Sequence, residues 1–448
     1  MTGTGLGWLG IARLGLVQAA LGSIVVLTTS TLNRVMVVEL ALPALLPGVL
    51  VAIHYAVQIM RPRFGHGSDR GGRRTPWIVG GMAVLGLGGV VAAAATALIG
   101  VSAIAGTALA VTGFLLIGAG VGASGTSLLV LLAAAVTPAR RAAAATITWV
   151  MMIAGFIVTT VVVGALLDPF SFQRLIVLTA AVSVIAFVVT VLATAGIEAR
   201  TVGTAARVAE GGRGAFAAAL REVLSERATR RFALFVFMSM LAYSAQDLLI
   251  EPFAGAIYAF TPGESTQLGG VQHGGVLLGM LLVALIGSVL SRGKASVLRQ
   301  CMIGGCLASA AMLAGLAVAA LNGAGPWPVR MNVFGLGFAN GVFAVAAIGS
   351  MMALVSRGHR QRDGVRMGVW GAAQAIAFGL GGVLGTLTVD LTRWLSGSVE
   401  SAYSVAFSLQ ALLFVAASLL AADLSRQTVR ATLAAGDFRH APGGASHN

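Results

Sequence analysis

Charge is what this sequence has least of. Only 10% of its 448 residues are Asp, Glu, Lys or Arg, where a soluble domain carries about 25%. With 57% hydrophobic residues and a mean hydropathy of +0.92, the composition excludes a water-soluble domain and fits a polytopic helical membrane protein. Cysteine is nearly absent. Cys301 and Cys306 lie in one apolar segment and build neither a disulfide framework nor a metal site. None of the six histidines is spaced as zinc ligands are, so no protein-ligated metal is expected. No G-x-x-x-x-G-K-[ST] run is present, and neither a Ser–His–Asp set nor a hydrolase-like carboxylate pair can be assembled, so an enzyme is not expected. Residues 1–10 lack the basic start of a cleavable signal, and the apolar run that follows is long enough to stay as a spanning helix.

What the chain does have is long apolar runs. Twelve candidate spans occupy approximately 11–35, 43–60, 76–99, 102–136, 142–167 and 175–195, then 232–253, 268–290, 297–321, 329–355, 365–391 and 402–424. Several exceed the ~20 residues that cross a hydrocarbon core, so tilt is expected. The border between the third and fourth runs is the least distinct. The domains read as a six-helix half at 1–196, a polar linker at 197–231, a second half at 232–425 and a tail at 426–448. Within the linker, 215–230 has the pattern of an amphipathic surface helix.

The basic residues are sorted by side. Of 29, all but Arg34, Arg174, Arg330 and Arg393 fall in loops that share one side with both termini. The positive-inside rule places that side in the cytoplasm. The net charge of +14 is therefore mainly a topology signal with a secondary attraction to anionic lipid, and it implies no nucleic acid.

Between the second and third spans stands Gly65-His66-Gly67-Ser68-Asp69-Arg70-Gly71-Gly72-Arg73-Arg74, a G-x-x-x-D-R-x-G-R-R pattern. It resembles the corresponding loop of major facilitator superfamily transporters. That resemblance implies twelve transmembrane helices in two six-helix halves, all-α, around a midplane cavity. It gives Gly65, Asp69, Arg70, Gly72, Arg73 and Arg74 the role of a gate, with Asp69 near the start of the eleventh span and close to Arg140 or Arg141. A degenerate second copy, Gly287-x-x-x-Ser291-Arg292, lies 222 residues on. The fifth span lacks the Gly-Pro pair of drug–proton antiporters.

Polar residues inside spans are costly and informative. Asp247 and Glu251 share one face of the seventh span, with Gln246 beside them, and Asn33, Arg34 and Glu39 sit at similar depth on the first. Three readings stand: a salt-bridge gate joining Arg34 to Asp247 or Glu251, a proton- or substrate-binding carboxylate pair, or simple solvation at the interface. His54, with Tyr55 and Gln58, and His273, with Gln272, are either hydrogen-bonded core residues or ligands for the Mg of a chlorin. Gly118, Gly120, Gly122 and Gly125 on the fourth span suit tight helix packing better than passage of a flat ligand.

A narrower resemblance runs through Asn33-Arg34-Val35-Met36-Val37-Val38-Glu39-Leu40, Pro43-Ala44, His54-Tyr55-x-x-Gln58, Arg61-Pro62, the loop itself and Gly72-Arg73-Arg74-Thr75-Pro76-Trp77-Ile78, and again through Ala245-Gln246-Asp247-Leu248-Leu249-Ile250-Glu251-Pro252-Phe253. Together these resemble the PucC family of light-harvesting complex assembly proteins, which includes PucC, LhaA and the bacteriochlorophyll synthase 44.5 kDa chain. The resemblance implies an assembly factor in the bacterial inner (intracytoplasmic photosynthetic) membrane, with both termini cytoplasmic. Its cargo would be bacteriochlorophyll. Its partners would be light-harvesting antenna polypeptides, the reaction-centre core complex, pigment-synthesis enzymes and membrane lipids. His54, His273 and the two polar segments become candidate contacts. The alternative is a secondary transporter of a small solute.

Overall fold

The computed structural model describes residues 6–61, 73–137, 140–198, 221, 225, 227–286, 295–355 and 363–437. Twelve helices and no strand occur among the described residues: α1 (Trp8–Glu39), α2 (Leu45–Met60), α3 (Thr75–Ile99), α4 (Ala103–Ala135), α5 (Arg141–Leu167), α6 (Phe172–Thr194), α7 (Arg227–Tyr258), α8 (Pro262–Leu285), α9 (Ala295–Leu321), α10 (Val329–Val355), α11 (Asp363–Ser396) and α12 (Val399–Asp437). Eleven are long and apolar enough to cross a membrane, and α2 is a shorter apolar helix. The indistinct border resolves at Gly100–Ser102, where the backbone turns between α3 and α4. Residues 227–230, expected to end a surface helix, instead begin α7.

Two hydrophobic cores divide the chain into six-helix halves. One is built from α1–α6 and takes in Leu248 of α7, while the other is built from α7–α12 and takes in Ala44. Between apolar helices in lipid, association depends on close packing rather than on water exclusion. Glycine supplies the closeness. A Cβ on Gly120 would stand 2.5 Å from the Leu85 nitrogen, and one on Gly118 would stand 2.6 Å from the His54 carbonyl oxygen. Gly118 and Gly120 are thus spent on packing α4 against α2 and α3.

Two long seams join the halves, α5 with α8 and α2 with α11. We call the bundle end where α1 gives way to α2 the distal end. There each seam is fastened by an aspartate. Asp390 of α11 accepts hydrogen bonds from the amides of Ala44 (2.9 Å) and Leu45 (2.7 Å) at the start of α2. Asp168, just past α5, accepts from the Gly263 amide (3.2 Å) and the Thr261 hydroxyl at the start of α8. Orphan amides and a positive dipole end make a helix start a natural partner for a carboxylate.

α1 is not a regular helix. Leu27–Thr31 and Val35–Glu39 are π-helical turns flanking Leu32–Arg34. Such turns widen the helix locally and redirect side chains, here the run that carries Asn33 and Arg34.

Candidate functional site

The distal part of α1 packs against α7 and α8, and the polar residues expected to matter converge there. Asn33 Nδ2 donates to the Leu248 carbonyl at 2.6 Å, and the Thr31 and Thr266 hydroxyls lie 3.2 Å apart. Arg34 is 2% exposed and fully engaged. It pairs with Glu39, donates from Nη2 to the Phe260 carbonyl at 2.6 Å, and has Nε 3.4 Å from Ser265 Oγ. The expected gate between Arg34 and Asp247 or Glu251 is therefore not what forms. The second π-helical turn brings Glu39 back along α1 to the guanidinium, and Arg34 ties α1 to the α7–α8 corner through Phe260.

Asp247 and Glu251 then part company despite sharing a helix face. Asp247 is half-buried and accepts from Gln272 Nε2 at 3.1 Å. Glu251 is 2% exposed, and neither carboxyl oxygen has a hydrogen-bond partner among the described residues. Gln246 is fully buried and equally unpartnered among the described residues.

Towards the middle of the molecule the seam changes character. Tyr55 of α2, Phe378 of α11 and Tyr243 of α7 form a chain of rings, with centroids 5.4 Å and 5.9 Å apart. All three are half-buried, as is Asp247, which acts electrostatically on both phenols. Three aromatic faces and a carboxylate held by an amide make a site suited to a flat, largely apolar ligand with a polar edge. Phe378 and Tyr243 escaped the sequence reading because an aromatic residue in an apolar run carries no signal of its own.

The two candidate histidines differ. His54 is 1% exposed behind Tyr55, and its Nε2 is 2.9 Å from the Gln58 amide nitrogen. That amide is a donor, so it occupies the imidazole lone pair. His273 is 7% exposed and has Nδ1 2.7 Å from the Gly269 carbonyl, with Phe156 edge-on at 4.8 Å. A carbonyl can only accept, so Nδ1 carries the proton and Nε2 keeps its lone pair, the arrangement of a metal-ligating histidine.

Gly65, Asp69, Arg70 and Gly72 lie outside the described residues. Arg73 and Arg74 precede α3. There Glu198, beyond α6, accepts from the Arg74 and Thr75 amides, the latter at 3.0 Å. Burial raises the Glu198 carboxyl, but these amide bonds and the Arg74 charge outweigh it and hold it below the usual carboxylate range. Arg140 lies over the Trp8 ring at 5.3 Å, and Arg141 Nε donates to the Val136 carbonyl at 3.3 Å. No cluster of potential metal ligands occurs among the described residues. A cavity of about 410 Å³ opens between α3 and α4, lined by Pro76, Trp77, Gly80, Gly81, Val84, Ala119 and Ala123. It has no titratable group and lies apart from the seam.

Comparison with known proteins agrees with this architecture. A family model described as PUCC protein matches residues 31–429. The bacteriochlorophyll synthase 44.5 kDa chain of Rhodobacter capsulatus is 50% identical over 422 residues, covering 93% of this chain and 95% of that one. Protein PucC of Cereibacter sphaeroides is 28% identical over 384 residues, covering 83% and 81%. Among solved structures, a bacterial homolog of the human lysosomal transporter Spinster, inward-facing and unoccupied, superposes with a TM-score of 0.68 at 14% identity over 94% of this chain and 97% of that one. The nucleoside transporter NupG gives 0.68 at 12% identity over 93% and 98%. At such identities the likeness is one of fold, and the fold is that of the major facilitator superfamily.

Proposed function

The chain belongs to the PucC protein family, and from that premise we propose that it is an assembly factor for bacterial light-harvesting complexes that binds bacteriochlorophyll and escorts it, with antenna polypeptides, in the membrane. The observation that carries this reading is the mid-seam layer of Tyr55, Tyr243 and Phe378 beside the Asp247–Gln272 pair. It offers ring faces to a macrocycle and a polar edge to its substituents. His273 would hold the Mg of a chlorin better than His54 would, because its Nε2 lone pair is not committed to an amide. The role is one of binding rather than catalysis. The basic loops put both termini in the cytoplasm of the photosynthetic membrane, which makes the distal end the periplasmic one. The exposed aliphatic side chains, such as Val184, Ile185, Leu192, Leu412 and Leu419, give antenna helices a surface to pack on.

The absorption spectrum of the protein purified from bacteriochlorophyll-producing cells tests this. A chlorin band and copurifying antenna polypeptides are expected, with the band reduced in His273→Ala and in Phe378→Ala and retained in His54→Ala. A colourless protein, with small-solute uptake that is lost in Asp247→Asn, would instead establish a carrier.

A further inference from the structure

Glu251 is a carboxyl in the distal seam with no hydrogen-bond partner among the described residues. It lies seven residues before the end of α7, roughly 10 Å along the helix axis. Both oxygens are buried and unpartnered, and one points at Gly269, where a Cβ would approach Oε1 to 2.8 Å. α8 thus makes room for the carboxyl without giving it a donor. The nearest cation is Arg34, whose guanidinium lies along Gly255, one turn further on α7, where a Cβ would stand 3.0 Å from Nη2. Its charge reaches Glu251, but its hydrogen bonds go to Glu39 and Phe260. An ionised carboxylate buried at such a place within a membrane-spanning helix is costly unless it is paired and hydrogen-bonded. A neutral carboxyl avoids most of that cost.

We propose that Glu251 is a proton-binding site built into the distal seal. While α1 is packed on α7 and α8, the carboxyl carries a proton. When the seal opens, its O–H bond breaks, the proton passes to water at the distal end, and the carboxylate takes Arg34 from Glu39. Arg34 then has a partner in either state, and the proton decides which one. The other charged or titratable groups around the site are Glu39 on α1, Tyr55 on α2, His273 on α8, Asp247 and Tyr243 on α7, and Tyr403 on α12 with Asp390 and Arg393 of α11 beyond it. Asp247 already has Gln272 as a donor and Asp390 has two amides, which leaves Glu251 as the carboxyl without one. The inference stands whether the seam below takes a pigment or a solute.

Infrared spectroscopy of the full-length protein in lipid nanodiscs reads the proton directly. A protonated-carboxyl C=O band at neutral pH is expected, absent in Glu251→Gln and shifted in Glu251→Asp. An undiminished band in Glu251→Gln, or no such band in the wild type, would overturn the proposal. Opening is read by thiol labelling of Val38→Cys, which lies against Gly255, in a chain with Cys301 and Cys306 changed to Ser. With each rate divided by that of a free thiol at the same pH, to remove the rise in thiolate fraction, labelling that still accelerates as pH rises, and does not in Glu251→Gln, supports the site. The same pH dependence in both chains refutes it.

Discussion

The two seams that join the halves are alike in plan and unequal in strength. Each pairs the fifth helix of one half with the second helix of the other, and each is fastened distally by an aspartate on a helix start. At α8 most of that start is satisfied without the aspartate. Thr261 accepts from the Glu264 amide at 3.1 Å, Glu264 returns a bond to the Thr261 amide at 3.0 Å, and Pro262 needs no donor partner. Asp168 adds an acceptor for the Gly263 amide, the one that the box leaves open. At α2 the flanking residues supply no side-chain cap at all, and Asp390 alone holds the first two amides. One seam is reinforced where the other is dependent, so two residues in matching places carry different loads.

Removing Arg34 should produce the largest effect because it fastens α1 between both seams. Arg34→Ala strips Glu39 and the Phe260 carbonyl of their partner, and about 3 kcal/mol is expected, the low end for a broken buried pair since Glu39 is part exposed. The thermal unfolding midpoint of the purified protein reads it. Next comes Asp390→Ala, which leaves two amides of α2 unsatisfied at about 1–3 kcal/mol. Asp168→Ala should cost less, about 0.5–1 kcal/mol, because the Thr261–Glu264 box survives. Equal losses in the two aspartate variants would break the contrast between the seams. Adding Thr261→Ala to Asp168→Ala should sharpen it by making α8 as dependent as α2.

The smallest effect lies at the opposite end of the bundle. Glu198 has a depressed pKa in the folded protein, so its contribution is fully present above the unfolded carboxylate value of about 4.3. It is lost as pH falls through the lower folded value. Because the group is only partly buried, Glu198→Gln should barely move the midpoint at pH 7. It should flatten the decline of the midpoint with acidification.

Much of the fold was legible from residues alone. Twelve apolar runs and an Arg-rich loop motif define a duplicated bundle, and every span found its helix. Side-chain destinations were less legible. Asp247 and Glu251 share a face by spacing, yet one is bonded and the other is not, because a single glutamine on α8 reaches only the first. One of the three readings took Arg34 across to α7, whereas it folds back to Glu39, since a π-helical turn is invisible to a 3.6-residue reading. The aspartate fasteners did leave a trace. The offset of 222 that relates Gly65 to Gly287 also carries Asp168 onto Asp390, and the internal repeat could have exposed both residues.

The shortness of α2 has a consequence for the order in which the protein is made. Leu45–Met60 falls below the length of the other helices and short of the ~20 residues that cross a hydrocarbon core. Its first amides find their acceptor 346 residues downstream. A ribosome inserting this chain therefore releases α2 into the bilayer long before Asp390 exists. The second helix to emerge is among the last to be finished. The first half made alone should hold α2 poorly and be an early substrate for membrane proteases, while coexpression of the second half should rescue it.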